Sequence, residues 1–200
     1  MSNLVYGLGF NDNSIKARAN NSRMTSEYRA WTDMLRRCTD EILVKRPTYL
    51  GCEVSENFKI FTFFHKWCNE QIGFNSKDDD GRNWHLDKDL LVKGNKVYSE
   101  NTCVFIPNKL NGILLNGKSQ RGDLPRGVCW CEQGSCYRAQ AHDINSKKKH
   151  IGYYKTVNEA FIAYKFYKEN VVKQVAEQYK DVIDPRAYKA LLEYEVNIED

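Results

Sequence analysis

The chain has 200 residues, 42% of them hydrophobic, enough for one large or two small packed domains and too apolar for a disordered chain. No apolar run of about 18 residues is present, and the polar, Asn-rich start from Met1 to Arg23 has no signal-like apolar segment, so a cytoplasmic protein is expected. The net charge of +4 is uneven: residues 118–155 carry +5, from eight Lys/Arg against three Asp/Glu, while residues 156–200 carry −3. A positive segment of this kind suits a phosphate-rich partner.

In chain order, residues 1–23 read as a loose arm and residues 24–117 as a first domain. A helix is expected from Thr25 or Ser26, with Tyr28, Trp31, Met34, Leu35 and Cys38 on one stripe, ending before Pro47. A short extended piece, Tyr49 to Val54, follows. A second helix, Phe58 to Gln71, capped by Ser55 or Asn57, has an apolar side of Phe58, Phe61, Phe64, Trp67 and Cys68. These aromatics read as core and not as base-stacking platforms, and His65 among them as structural. Gly73 to Arg82 reads as an exposed turn, since its three aspartates lack the closing Glu of a calcium loop. Between Trp84 and Asn111, two short strands around a Gly94-Asn95 turn and then a helix or turn are expected.

Residues 118–200 read as a second domain. Three alternating runs, Arg126 to Glu132, Cys136 to Asp143 and Lys149 to Lys155, are separated by polar turns. After Thr156 the period becomes helical, with Ala160, Phe161, Tyr164, Tyr167, Val171 and Val175 on one stripe. Thr156 and Glu159 have the spacing of a capping box. Asp184-Pro185 starts a last short helix, and Glu193 to Asp200 is an acidic tail lying away from any nucleic acid. The fold class is therefore α+β, with a three-stranded antiparallel sheet packed on one long helix.

Tyr137, Ala139 and Ala141 would face that helix, leaving Arg138, Gln140 and His142 on the open side, with Arg126 and Trp130 beside them. Such a ribbon fits the major groove of B-DNA, where Arg and Gln bond base edges. Lys147, Lys148 and Lys149 in the joining turn suit phosphates. A solvated polar face with a charged, solubilising hairpin tip has the same pattern. Seven cysteines is an odd number, and Cys129, Cys131 and Cys136 form the one close group. Zinc binding with His142 or His150 is not expected, because strand thiols also serve packing; reduced thiols are the simpler reading.

Arg126-Gly127-Val128, Tyr137-Arg138-Ala139-Gln140, His150 to Thr156, Glu159-Ala160 and Ala163-Tyr164 resemble the plant ethylene-response-factor DNA-binding domain, modules of which occur in phage and mobile-element endonucleases. The resemblance implies a sheet face set in the major groove, and covers about a quarter of the chain. The family's tryptophan-rich second strand is replaced here by Tyr137 and Arg138.

Leu86-Asp87, the Asn95 loop and Asn111 resemble the ββα-metal core of HNH nucleases. In that family a His general base activates water, and an Asp and a closing His or Asn hold one divalent metal. Lys88 stands in place of that His, and an ordinary lysine, with a pKa near 10.4, stays protonated at neutral pH. Three readings follow. The first is a double-stranded DNA-binding protein of phage or mobile-element type, working in a bacterial host cell with a degenerate nuclease core. The second is an active, homing-type endonuclease with His85, Asp87 and Asn111 as catalytic residues, and Mg2+ or Mn2+ on Asp87 and Asn111. The third is a counter-defence inhibitor that binds a protein partner.

Overall fold

Apolar residues at helical spacing on two segments build the first core. A computed structural model describes residues 4–114 and 122–200, with Leu43 and Lys45 described by their backbone alone. The chain divides into two compact bodies, Met1–Asn108 with Val182–Ala187, and Lys109–Asp181 with Tyr188–Asp200. The division falls earlier than the expected 117/118 boundary, and residues 182–187 join the first body. Asn108 belongs to the first body because its N–H donates to Asp78 Oδ2 at 3.0 Å and its amide to Asn83 O at 3.0 Å.

In the first body, helix α1 (Ser26–Arg37) starts where Thr25 Oγ1 accepts the Tyr28 N–H at 3.2 Å. Its stripe buries Trp31, Met34 and Leu35. The helix stops well before Pro47. The Thr39 hydroxyl donates back to Arg36 O at 2.8 Å, and a separate short helix, α2 (Asp40–Lys45), starts after it. The second expected helix is also divided, into α3 (Glu56–Lys59) and α4 (Phe61–Glu70), although Ser55 caps it as read. The break at Ile60 has a tertiary cause. Phe10 pairs with Ile60, its N–H donating to Lys59 O at 2.8 Å and its carbonyl accepting Phe61 N–H at 3.0 Å.

The N-terminal segment is therefore docked from Val5 to Ile15, and residues 17–25 close a local turn, so it is not the loose arm expected. Val5, Leu8 and Ile15 pack on the core. Gly9 lies so close to Leu35 and Trp31 that any Cβ there would collide with them. Phe58, Phe61, Phe64, Trp67 and Cys68 are all buried, as read, and Trp31 Nε1 donates to Phe58 O at 2.7 Å.

Four short strands complete this body. β1 (Glu53–Val54) pairs in parallel with β3 (Val97–Tyr98), and β2 (His85–Asp87) pairs antiparallel with β4 (Val104–Ile106), which leads into α5 (Asn108–Leu114). Two short strands do flank Gly94-Asn95 as read, β2 and β3, but they pair with β4 and β1 and not with each other. Asn95 closes the loop instead. Its amide donates to Lys88 O at 2.6 Å and Val97 O at 2.8 Å, and its Oδ1 accepts Val97 N–H at 3.2 Å.

In the second body, β5 (Val128–Cys131), β6 (Cys136–His142) and β7 (Lys148–Tyr154) form an antiparallel sheet in that order, packed on α6 (Val157–Tyr179). The capping box is complete: Glu159 N–H reaches Thr156 Oγ1 at 3.2 Å and Thr156 N–H reaches Glu159 Oε2 at 3.1 Å. Val128, Ala139 and Ala141 bury against Ala160, Phe161 and Tyr164. Gly127 has φ 77°, and a Cβ there would enter the Tyr164 ring, which explains the Gly in the Arg-Gly-Val run. Lys168 is buried and its Nζ donates to Ile113 O at 2.6 Å. The C-terminal tail is pinned to α6, with Val196 N–H on Glu169 at 2.9 Å and Lys165 Nζ on Val196 O at 2.8 Å.

The last helix, α7 (Pro185–Leu192), starts at the Asp184-Pro185 signal, and Asp184 Oδ1 accepts Arg186 N–H at 2.7 Å. Among the described residues no helix is long and apolar enough to cross a membrane. Lys118 and Arg121, counted above in the basic segment, lie outside the described residues.

Candidate nucleic-acid interface

Strand pairing fixes which side chains share a face. Ala139 lies opposite Val128 and Gly152, all turned to the helix, so the residues between them point the other way. One row of this open face runs Cys129, Arg138, Tyr153; the next pairs Gln140 with His150; the last pairs His142 with Lys148. Arg138, Gln140, Lys148, His150 and Tyr153 line a shallow groove of about 380 Å³ on this surface. The His150 and Tyr153 rings lean together at 4.6 Å between centroids. Arg138 Nε donates to Cys129 Sγ at 3.3 Å, and this contact raises the guanidinium pKa further.

His150 and Tyr153 are the members of this face that the sequence pattern does not assign. Strict alternation along the third run would put Ile151 beside Tyr153. A β-bulge between Ala139 and Gln140 leaves Ile151 without a direct partner and sends it to the core, so His150 faces Gln140. A bulge leaves no mark in the hydrophobic period.

Two side chains expected beside this face, and one of the lysines expected in the joining turn, are placed elsewhere. Arg126 is only 9% exposed; its Nη1 donates to the Tyr194 hydroxyl at 3.4 Å inside the second body. Trp130 pairs with Tyr137 and so lies on the helix side of the sheet, its ring edge-on to Tyr137 at 4.9 Å. Counting by two from buried Val128 gives that result. Lys149 pairs with buried Ala141 and also falls on the helix side, so of the three lysines only Lys148 stands in a row of the open face. Lys147 closes the turn, its N–H on Asp143 Oδ1 at 2.9 Å, and that bond lowers the Asp143 pKa.

The second candidate site is in the first body. His85 and Asp87 lie on the same side of β2, and α5 follows β4 in the chain. The polar atoms are engaged in holding the loop. Asp87 Oδ1 accepts the N–H groups of Asp89 at 3.0 Å and Leu90 at 2.8 Å. Burial, reinforced by Asp89, pushes the Asp87 carboxyl up to about 6. Lys88 is buried, with Nζ on Asn95 O at 3.1 Å, Asp89 Oδ2 at 3.3 Å and the Tyr98 ring centroid at 5.8 Å. Desolvation, helped by the Arg37 charge, lowers the His85 pKa and favours a neutral imidazole. Asn111 is half-buried in α5, on the stretch that belongs to the second body.

All seven cysteines are free thiols; Cys131 faces Cys136 across the first hairpin. Among the described residues no group of three or more His, Cys, Asp or Glu side chains is placed to hold a metal ion.

No family model, curated protein or solved structure matches the chain significantly.

Proposed function

We propose that the chain is a double-stranded DNA-binding protein of phage or mobile-element type that lays the open face of its β5–β6–β7 sheet in the major groove. The observation that carries this is the placement of Arg138 and Gln140 together on the central strand, turned away from the core, with His150, Lys148 and Tyr153 around them. Arg matches the acceptor pair of guanine, and Gln the donor–acceptor pair of adenine. Two residues along a strand advance about 6.7 Å, close to roughly two base-pair steps of B-DNA. A strand lying along the groove can then present the two side chains to neighbouring bases. Lys148, with Lys147 at the rim, supplies phosphate contacts that fix the register.

A salt-titrated gel shift tests this. Arg138→Ala and Gln140→Ala are expected to cost about 1–3 kcal/mol each at preferred sites, and Lys148→Glu to weaken binding to all sequences and flatten the salt slope. Unchanged affinity in all three variants rejects the assignment.

The antiparallel β2–β4 pair, with His85 and Asp87 on one side of β2, favours a second reading, an HNH-type endonuclease. Against it stand the contacts of Lys88, whose ammonium is held by a carbonyl and a carboxylate, and of Asp87, whose Oδ1 holds a turn. If Mg2+ or Mn2+ were bound there, it would stabilise the leaving oxygen of a phosphodiester. Supercoiled plasmid incubated with either ion is expected to stay intact; nicking that is lost in Asp87→Ala would establish the nuclease reading instead.

A further inference from the structure

The core side of α6 carries Ala160, Tyr164, Lys168, Val171, Val172 and Val175. On the opposite side, where a surface helix is normally polar, stand two large apolar side chains one turn apart, Ile162 at 65% exposed and Phe166 at 72%. At the helical angle of 100° per residue, Glu159, Ile162, Phe166, Asn170 and Lys173 fall on one narrow stripe, and all five are exposed. A groove of about 390 Å³ runs beside Phe166 and Asn170, bordered by Asp143 and Ile144 of the β6–β7 turn.

The order of residue types along this stripe is self-complementary. Placed antiparallel about a two-fold axis at Phe166, Phe166 meets its own copy, Ile162 meets Asn170, and Glu159 meets Lys173. Opposite charges then meet at both ends, and Phe166 meets its copy at the middle, with Ile162 of each helix one turn away. The capping-box bond from Thr156 uses Glu159 Oε2 alone. Sliding the partner by one turn, so that Ile162 meets Phe166, separates Glu159 from Lys173 and loses both charge pairs. The charge pattern therefore selects the Phe166-centred register. We propose that a second copy of this chain covers this stripe, in an antiparallel α6–α6 pair centred on Phe166.

This pairing has a consequence that rests on the DNA reading above. α6 covers one face of its sheet, and the stripe lies on the far side of α6. Two copies joined stripe to stripe turn their open sheet faces in opposite directions. Such a dimer bridges two separate duplex segments and does not read adjacent half-sites on one duplex, as groove-reading dimers do.

Sedimentation across a concentration series, without DNA, tests the pairing. Wild type is expected to pass from monomer to dimer. Phe166→Asp should raise the dissociation constant by roughly 100-fold or more, as removal of a central anchor does. Lys173→Glu should weaken association, and the charge swap Glu159→Lys with Lys173→Glu should restore it; circular dichroism checks that each variant is folded. Monomeric wild type at every concentration overturns the pairing, and so does a dimer that Phe166→Asp leaves intact. The bridge is read separately, as capture of a labelled duplex by a bead-bound one. Failure of capture by a dimer that still binds single duplexes overturns the bridge. Absence of any duplex binding removes the DNA reading and leaves the pairing to be decided by sedimentation.

Discussion

The strand pair around Asp87 and the sheet around Arg138 are both short antiparallel arrays next to a helix, yet their polar side chains have different fates. Around Asp87 they turn inward. Asp87, Lys88 and Asn95 bond to backbone groups of one loop, and Lys88 is buried. Around Arg138 they face outward, and the interior of the sheet is left to Val128, Ala139 and Ala141. A buried polar group must be bonded or it costs several kcal/mol, so the first set acts as structure. The second set carries no such obligation and is available to a ligand.

The largest expected effect that tests this comparison is at Gly127. Gly127→Ala forces a side chain into the left-handed region and into the Tyr164 ring, and should lower stability by about 3 kcal/mol or more, as read by chemical denaturation. DNA affinity should fall with it. A neutral outcome would mean that the sheet and α6 do not pack as described.

Asn95→Ala removes three loop bonds and should lower stability by about 2 kcal/mol. DNA affinity, measured well below the melting transition, should stay near wild type. A variant of undiminished stability with altered DNA binding would reverse the roles assigned to the two regions.

A finer test uses strand parity. Lys148→Glu should weaken DNA binding by about 1 kcal/mol more than Lys149→Glu, because only Lys148 stands in a row of the open face. Equal losses in a gel shift would show that the turn as a whole, and not the face, meets phosphate.

A last test, of the first region alone, is a pH slope from Asp87. Its carboxyl is raised from an ordinary 3.8 to about 6 by burial and then by Asp89. The folded state holds this proton more tightly than the unfolded chain. The stability it contributes is present in full below about pH 4 and is lost as pH rises through about 6. Asp87→Asn keeps the acceptor for the Asp89 and Leu90 N–H groups and should flatten denaturation midpoints between pH 4 and 6. An unchanged slope would assign that pH dependence to other groups.

Local pattern was enough for much of the second body. The period-two runs, the Thr156–Glu159 box and the α6 stripe are each written in neighbouring residues, and so were the outward placements of Arg138, Gln140 and His142. The caps at Thr25 and Ser55 and the aromatic core of α4 were legible for the same reason. Val128 and Trp130 even carry the parity that assigns Trp130 to the helix side, although a tryptophan on a short strand gives no sign of its face until the buried end is known.

The rest depended on partners far along the chain. The break at Ile60 exists because Phe10 bonds across it, and the docking of residues 5–15 has the same origin. β2 pairs with β4 and β3 with β1, since Asn95 holds the intervening loop in a form that does not bring β2 and β3 together. Arg126 turns inward to Tyr194, sixty-eight residues away, and the bulge at Ile151 moves His150 into the open face. Amino-acid order sets the period and the caps, because those energies arise within a few residues. Strand partners, helix breaks and the final direction of a charged side chain follow from contacts that exist only once the chain has closed on itself.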